Sequence, residues 1–178
     1  MVDSKTIRKL VLTSLLAALA LAISPVAWFT WGPTKAFPGQ HTVNVLAGVM
    51  VGPLWASVSA LLVGTLRIML GVGTVFAYPG GIPGGFLVGL FYRFFKRRIG
   101  SRKAILIASL GEPLGTVLVG GTLSWYVIDP FLGTGLYSRF ETLFVFYSGW
   151  ALSSVSGCII GIALSLTLEK LGILKHVD

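Results

Sequence analysis

The chain has 178 residues, 54% of them hydrophobic and 11% charged, with a formal net charge of +8 and a mean hydropathy of +0.87. Soluble domains carry about 25% charged residues, so too few charges remain to coat a water-facing surface, and a soluble globular or disordered protein is excluded. A bilayer core takes about 20 apolar residues per helix; residues 10–34, 36–66, 68–92 and 142–168 hold no Lys, Arg, Asp or Glu, and 104–128 holds only Glu112, the pattern of a polytopic membrane protein.

The first predicted helix runs from about Ile7 to Phe29, with Trp28 and Trp31 placed as interfacial anchors. Its 22-residue apolar stretch, Leu10 to Trp31, exceeds the roughly 7–15 residues of a signal-peptide core, so it reads as a retained helix. A loop follows over Gly32–Gln40. The apolar stretch from His41 to Gly71 is too long for one span and is cut by Gly52-Pro53, giving two helices, with a proline-kinked single helix as the alternative. Residues 72–85 are rich in Gly and Pro. A fourth helix covers about Ile82–Phe95, and a basic loop covers 96–103. The fifth spans about Ala104–Tyr126. After a loop carrying Asp129, Arg139 and Glu141, the sixth spans about Leu143–Leu168. The expected fold is a single all-α membrane domain over residues 1–178, a bundle of six transmembrane helices.

The basic residues sit where topology requires them. Arg93, Lys96, Arg97, Arg98, Arg102 and Lys103 cluster in one stretch, Lys5, Arg8 and Lys9 near the start, and Lys170 and Lys175 near the end. All flank apolar spans, as the positive-inside rule describes, which argues against a nucleic-acid partner. With six spans every basic cluster falls on one side, so both termini are expected in the cytoplasm of a multi-pass cell-membrane protein. The single cysteine, Cys158, lies in an apolar run and offers neither a disulfide nor a metal cluster. Small residues recur every fourth position in four rows, Ser14/Ala18/Ala22, Ala56/Ala60/Gly64, Gly81/Gly85/Gly89 and Ser153/Gly157/Gly161/Ser165. Such rows let helices approach closely in lipid, within the chain or against another subunit.

Polar residues inside spans are costly and therefore informative. Glu112 falls about 12 Å into the fifth helix, on a stripe with Ala104, Ala108, Thr116 and Gly120, and Pro113 after it frees a carbonyl nearby. Arg67, near the outer end of the third helix, either snorkels to the interface or turns inward, and an Arg67–Glu112 pair is one possibility. Gln40, His41 and Asn44 supply donors and acceptors at the start of the second helix, suited to a small heteroaromatic ligand. The segment Gly73–Gly81, with Phe76 and Tyr78, brings irregular backbone and aromatic rings. Trp125, Tyr126, Tyr147 and Trp150 belong to an aromatic belt, and Tyr78 with Trp125 or Tyr147 are the candidates to stack on a planar ligand. Hydrolase, zinc-protease and nucleotide-binding P-loop motifs are absent. No enzymatic activity, cofactor or metal is expected.

Pro38-Gly39-Gln40-His41-Thr42-Val43-Asn44, Gly52-Pro53, Arg67, Gly71-Val72-Gly73-Thr74, Ala77-Tyr78-Pro79-Gly80-Gly81 and Gly89-Leu90-Phe91-Tyr92-Arg93 resemble the ThiW family. ThiW proteins are substrate-binding S components of energy-coupling factor (ECF) transporters. The resemblance implies six helices, a thiamine-precursor site at the outer face, and assembly with a T component and two ATPase subunits. It implies docking of the T component through Ala18 and Ala22, a row that Ser14 extends. The implied ligand is hydroxyethylthiazole, small, neutral and planar, or another thiamine-related compound. The competing reading is a self-sufficient secondary transporter with Glu112 as its proton-coupling carboxylate; an internal repeat that would favour it is not evident.

Overall fold

A computed structural model describes residues 3–176 of the chain. Helix α1, Ser4–Ile23, stops six residues short of the expected Phe29. Pro25 has no N–H to continue the ladder, and Ser24 closes the helix by donating its Oγ–H to the Ala20 carbonyl at 2.7 Å. The following residues form a small antiparallel hairpin where a helix end and loop were expected, β1 (Phe29–Trp31) with β2 (Thr34–Ala36) and Trp31 opposite Thr34. Aromatic and β-branched residues favour that pleated backbone.

Helix α2, Pro38–Met50, opens with a proline at its first turn, where the missing N–H costs nothing. Gly52 then turns the chain at φ +85°, and its absent Cβ leaves room for the Arg93 guanidinium. Pro53 opens α3, Pro53–Met69, so α2 and α3 are two helices and not one kinked rod. A single 3-10 turn, Val75–Ala77, leads into α4, Ile82–Ile99. That helix takes the first half of the expected basic loop and the next helix takes the rest, so Gly100 at φ +80° makes the whole turn into α5.

Helix α5 runs continuously over Ser101–Leu132, longer at both ends than the sequence suggests. It passes through Pro113 by widening into π-helical turns at Leu114–Gly120 and Ser124–Ile128. Proline interruptions of this kind are relieved by π-turns and side-chain donors; the Ser109 carbonyl, four residues before Pro113, accepts from Cys158 Sγ at 3.3 Å. A short helix α6, Leu136–Phe140, precedes α7, Leu143–Lys170, which Thr142 caps through the Val145 N–H.

Helix α2 is the centre of the bundle: eleven of its thirteen residues are buried. One apolar cluster joins α1, α2 and α3 through Leu16, Ala20, Val43, Leu46 and Val63. A second joins α2, α4, α5 and α7 through Val45, Val88, Ile105 and Cys158. Three of the small-residue rows are spent inside. A Cβ on Gly85 would touch Ala56, one on Gly89 would run into Pro53, and one on Gly157 or Gly161 would meet α2. Ser14, Ala18 and Ala22 alone among the rows face outward along α1.

Leu15, Leu54, Met69, Leu110, Leu118 and Ile159 are among many large apolar side chains on the outside, the surface of a protein solvated by lipid. Among the described residues four helical stretches are long and apolar enough to cross a membrane, Ser4–Ile23, Val75–Ile99, Ser101–Leu132 and Leu143–Lys170; Pro53–Met69 is apolar but shorter. The chain is an all-α membrane protein, and among the described residues its β structure is a single two-stranded hairpin.

Candidate functional site

Helical spacing brings the polar residues of α2 to two neighbours. His41 and Asn44, three apart, share the face toward α5, while Gln40 turns toward α3 and the 3-10 turn. On α5, Glu112 and Thr116 are one turn apart and face α2. Glu112 is completely buried, and each of its contacts can donate. Oε1 meets His41 Nδ1 at 2.6 Å, Asn44 Nδ2 at 3.2 Å and Thr116 Oγ1 at 2.8 Å. Oε2 accepts from the Ser154 hydroxyl. Asn44 also donates to the Gly81 carbonyl at 3.1 Å, tying α4 to the cluster. Gly84 completes it, because a Cβ there would stand 2.7 Å from Thr116 Oγ1 and 2.8 Å from Glu112 Oε1. A carboxylate in an apolar bundle is tolerated when its lone pairs are met in this way.

His41 turns Nδ1 to this cluster and also lines a cavity of about 610 Å³ at the end of the bundle where α2 and α7 begin. Volumes of about 300–1,000 Å³ are typical of small-molecule sites. The wall is built by the α1 end and hairpin (Ser24, Trp28, Lys35), α2 (Gln40, His41), the α3 end and following loop (Arg67, Thr74, Phe76) and α7 (Phe146, Trp150, Ser153), with Arg139 and Phe140 from α6. Irregular backbone at Gly71–Thr74 lines it too, with Ala77 and Gly80 beyond, as backbone off the helices does where it faces a cavity. The cavity lies at the opposite end of α4 from Lys96, Arg97 and Arg98, which are about 21–24 Å along the helix from its start at 1.5 Å per residue.

Arg67 turns inward and is 5% exposed. It donates through Nη1 to Gln40 Oε1 and through Nη2 to the Val72 carbonyl at 3.3 Å. Its guanidinium lies 4.0 Å from the Phe37 ring centroid. The open pairing with Glu112 is therefore not made: Glu112 takes His41, and Arg67 takes neutral partners. Its Nε has no hydrogen-bond partner. A cation–π contact contributes about 0.5–2 kcal/mol, whereas taking an ion out of water costs several, so Phe37 alone does not balance the guanidinium.

Of the residues singled out from sequence, Gln40, His41 and Arg67 lie in the cavity wall, and Asn44 and Glu112 stand directly behind His41. Tyr78, Trp125 and Tyr147 are outside the wall. Tyr78 shares a hydrogen bond with Thr65 at 3.2 Å, Tyr147 shares one with Thr122 at 2.6 Å, and Trp125 packs behind Phe146. The wall aromatics outside the stacking candidates taken from sequence are Trp28, Phe37, Phe76, Phe140, Phe146 and Trp150. A signal existed for two of them: Phe146, Gly149, Trp150 and Ser153 follow the three-and-four spacing of one helix face, and Tyr147 is rotated off it. Among the described residues no three His, Cys, Asp or Glu side chains assemble into a metal site.

No curated protein and no solved structure matches the chain. The family model described as thiamine-precursor transporter protein (ThiW) matches residues 10–171, nearly the whole membrane domain including every helix that builds the cavity, and the chain belongs to that transporter family.

Proposed function

We propose that this chain is the substrate-binding S component of an ECF transporter, which captures hydroxyethylthiazole at the outer face and delivers it inward with a T component and ATPase subunits. The observation that carries the reading is the cavity itself, whose wall combines polar groups from Gln40, His41 and Thr116 with the aromatic rings of Phe76 and Trp150. That combination suits a flat ring with a hydroxyl tail. The positive-inside rule supports an outward mouth, since the α4–α5 basic cluster sits at the far end of the bundle. Six spans, with both termini in the cytoplasm, then follow from counting α2 and α3 as a shorter central pair.

In this reading Gln40, His41 and Arg67 contact the ligand, and Asn44 and Glu112 fix the His41 ring. Tyr78, Trp125 and Tyr147 act from behind the wall. Ser14, Ala18 and Ala22, left facing outward on α1, dock the T component. Trp28 and Trp150 border the cavity, so titrating the purified protein with hydroxyethylthiazole is expected to change Trp fluorescence saturably. His41→Ala is expected to weaken that binding about two- to tenfold, the value of one hydrogen bond to a neutral polar ligand group. Full affinity in the variant removes His41 from the site.

The buried His41–Glu112 pair beside the cavity favours a second reading, a proton-coupled secondary transporter. It predicts uptake that survives ATP depletion and is abolished by Glu112→Gln. The S-component reading predicts that uptake stops when the ATPase subunits are withdrawn.

A further inference from the structure

The charged residues of the cavity wall are all of one sign. Three of its residues are cationic, Lys35, Arg67 and Arg139, and none is Asp or Glu. Lys35 and Arg139 are exposed at the mouth and Arg67 is buried inside. Among the described residues, no carboxylate comes within ion-pair distance of Arg67. The nearest candidate by burial, Glu112, is enclosed by its own donors. Arg67 therefore reaches the cavity with its charge uncompensated and one N–H, Nε, unpartnered, although a buried cation is tolerated only when paired. Guanidinium groups are the preferred partners of planar or tetrahedral oxyanions because their donors form a fixed fork.

We propose that the cavity takes a small heteroaromatic ligand carrying an anionic group, a phosphate monoester or a carboxylate, with Arg67 as its buried counter-charge. Lys35 and Arg139 draw the anion to the mouth, and Phe76 and Trp150 hold the ring. The volume of about 610 Å³ leaves room for such a group beyond a single five-membered ring. This inference rests on the reading of the cavity as the substrate site of a thiamine-precursor transporter, and it changes the ionic class of that substrate.

The test is equilibrium binding to the purified full chain in nanodiscs of zwitterionic lipid, with three probes: hydroxyethylthiazole, its phosphate monoester and its ring carboxylate. One of the two anionic probes is expected to bind at least about tenfold more tightly than the neutral alcohol, as a charge-assisted hydrogen bond gives. Which anion wins identifies the group. Arg67→Gln, which keeps donors but removes the charge, is expected to erase the advantage. The neutral alcohol binding the wild-type chain as tightly as both anions overturns the inference and leaves the proposed function standing. An anion advantage that persists undiminished in Arg67→Gln overturns the role of Arg67. Failure of all three probes to bind a folded sample overturns the proposed function, and this inference with it.

Discussion

At the scale of single residues, Glu112 is held by donors from four separate positions, His41, Asn44, Thr116 and Ser154. Its side chain is a structural knot. Removing the carboxylate leaves those donors unmet in a medium that supplies no water, and breaking a buried hydrogen-bonded pair costs about 3–5 kcal/mol. Glu112→Ala is therefore expected to lower the melting temperature of the purified protein sharply, or to prevent its isolation. Ser154→Ala, which removes one of several donors, is expected to cost about 1 kcal/mol. Equal stability of Glu112→Ala and wild type in a thermal melt contradicts this account. The depth of Glu112 was legible in sequence, because a lone acid in a charge-free run must face inward. Its partner was not, because His41 lies 71 positions earlier and nothing local to either residue encodes the meeting.

At the scale of elements, small residues decide which helices touch. Gly84 brings α4 against the Glu112 cluster, with no space for a Cβ beside Thr116 Oγ1. Gly84→Ala is expected to destabilise by about 1–3 kcal/mol, the usual effect of overpacking, and to weaken ligand binding by shifting His41; both are read from one thermal melt with and without ligand. Helix α5 shows how Pro113 is accommodated: the Ser109 carbonyl takes Cys158 Sγ, and the helix widens downstream. Helix existence and the α2–α3 break were readable from apolar runs and from Gly52-Pro53. Helix ends were not. The hairpin at Phe29–Ala36 and the extension of α4 to Ile99 depend on contacts such as the Trp31 indole donating to Ser148 Oγ at 2.9 Å and Tyr92 sharing a hydrogen bond with Ser101 at 2.7 Å.

At the scale of the whole molecule, the bundle has a polar end with a cavity, a basic end, and one outward row of small residues. Three rows are consumed by internal packing, and the Ser14/Ala18/Ala22 row is left on the surface. Ala18→Leu is expected to leave the melting temperature of the isolated chain within a degree or so, because an exposed apolar exchange costs about 0.5 kcal/mol or less. It is expected to abolish co-purification with a T component, since close helix approach needs small side chains. Retained co-purification moves the docking face elsewhere.

The sequence by itself determined the class of this protein. Its charge-free runs have the length and hydropathy that only a bilayer accommodates, and the costs that produce such runs act on each residue separately. It also marked Gln40, His41, Asn44, Arg67 and Glu112, because a polar group in an apolar run needs a reason. The tertiary structure alone decided who meets whom. It gave His41 rather than Arg67 to Glu112, turned Phe76 and Trp150 to the cavity in place of Tyr78 and Tyr147, and left Arg67 without a counter-charge. Hydrogen bonds and ion pairs are short-ranged, and the positions they join lie on helices whose rotation and depth are set by packing across the entire bundle.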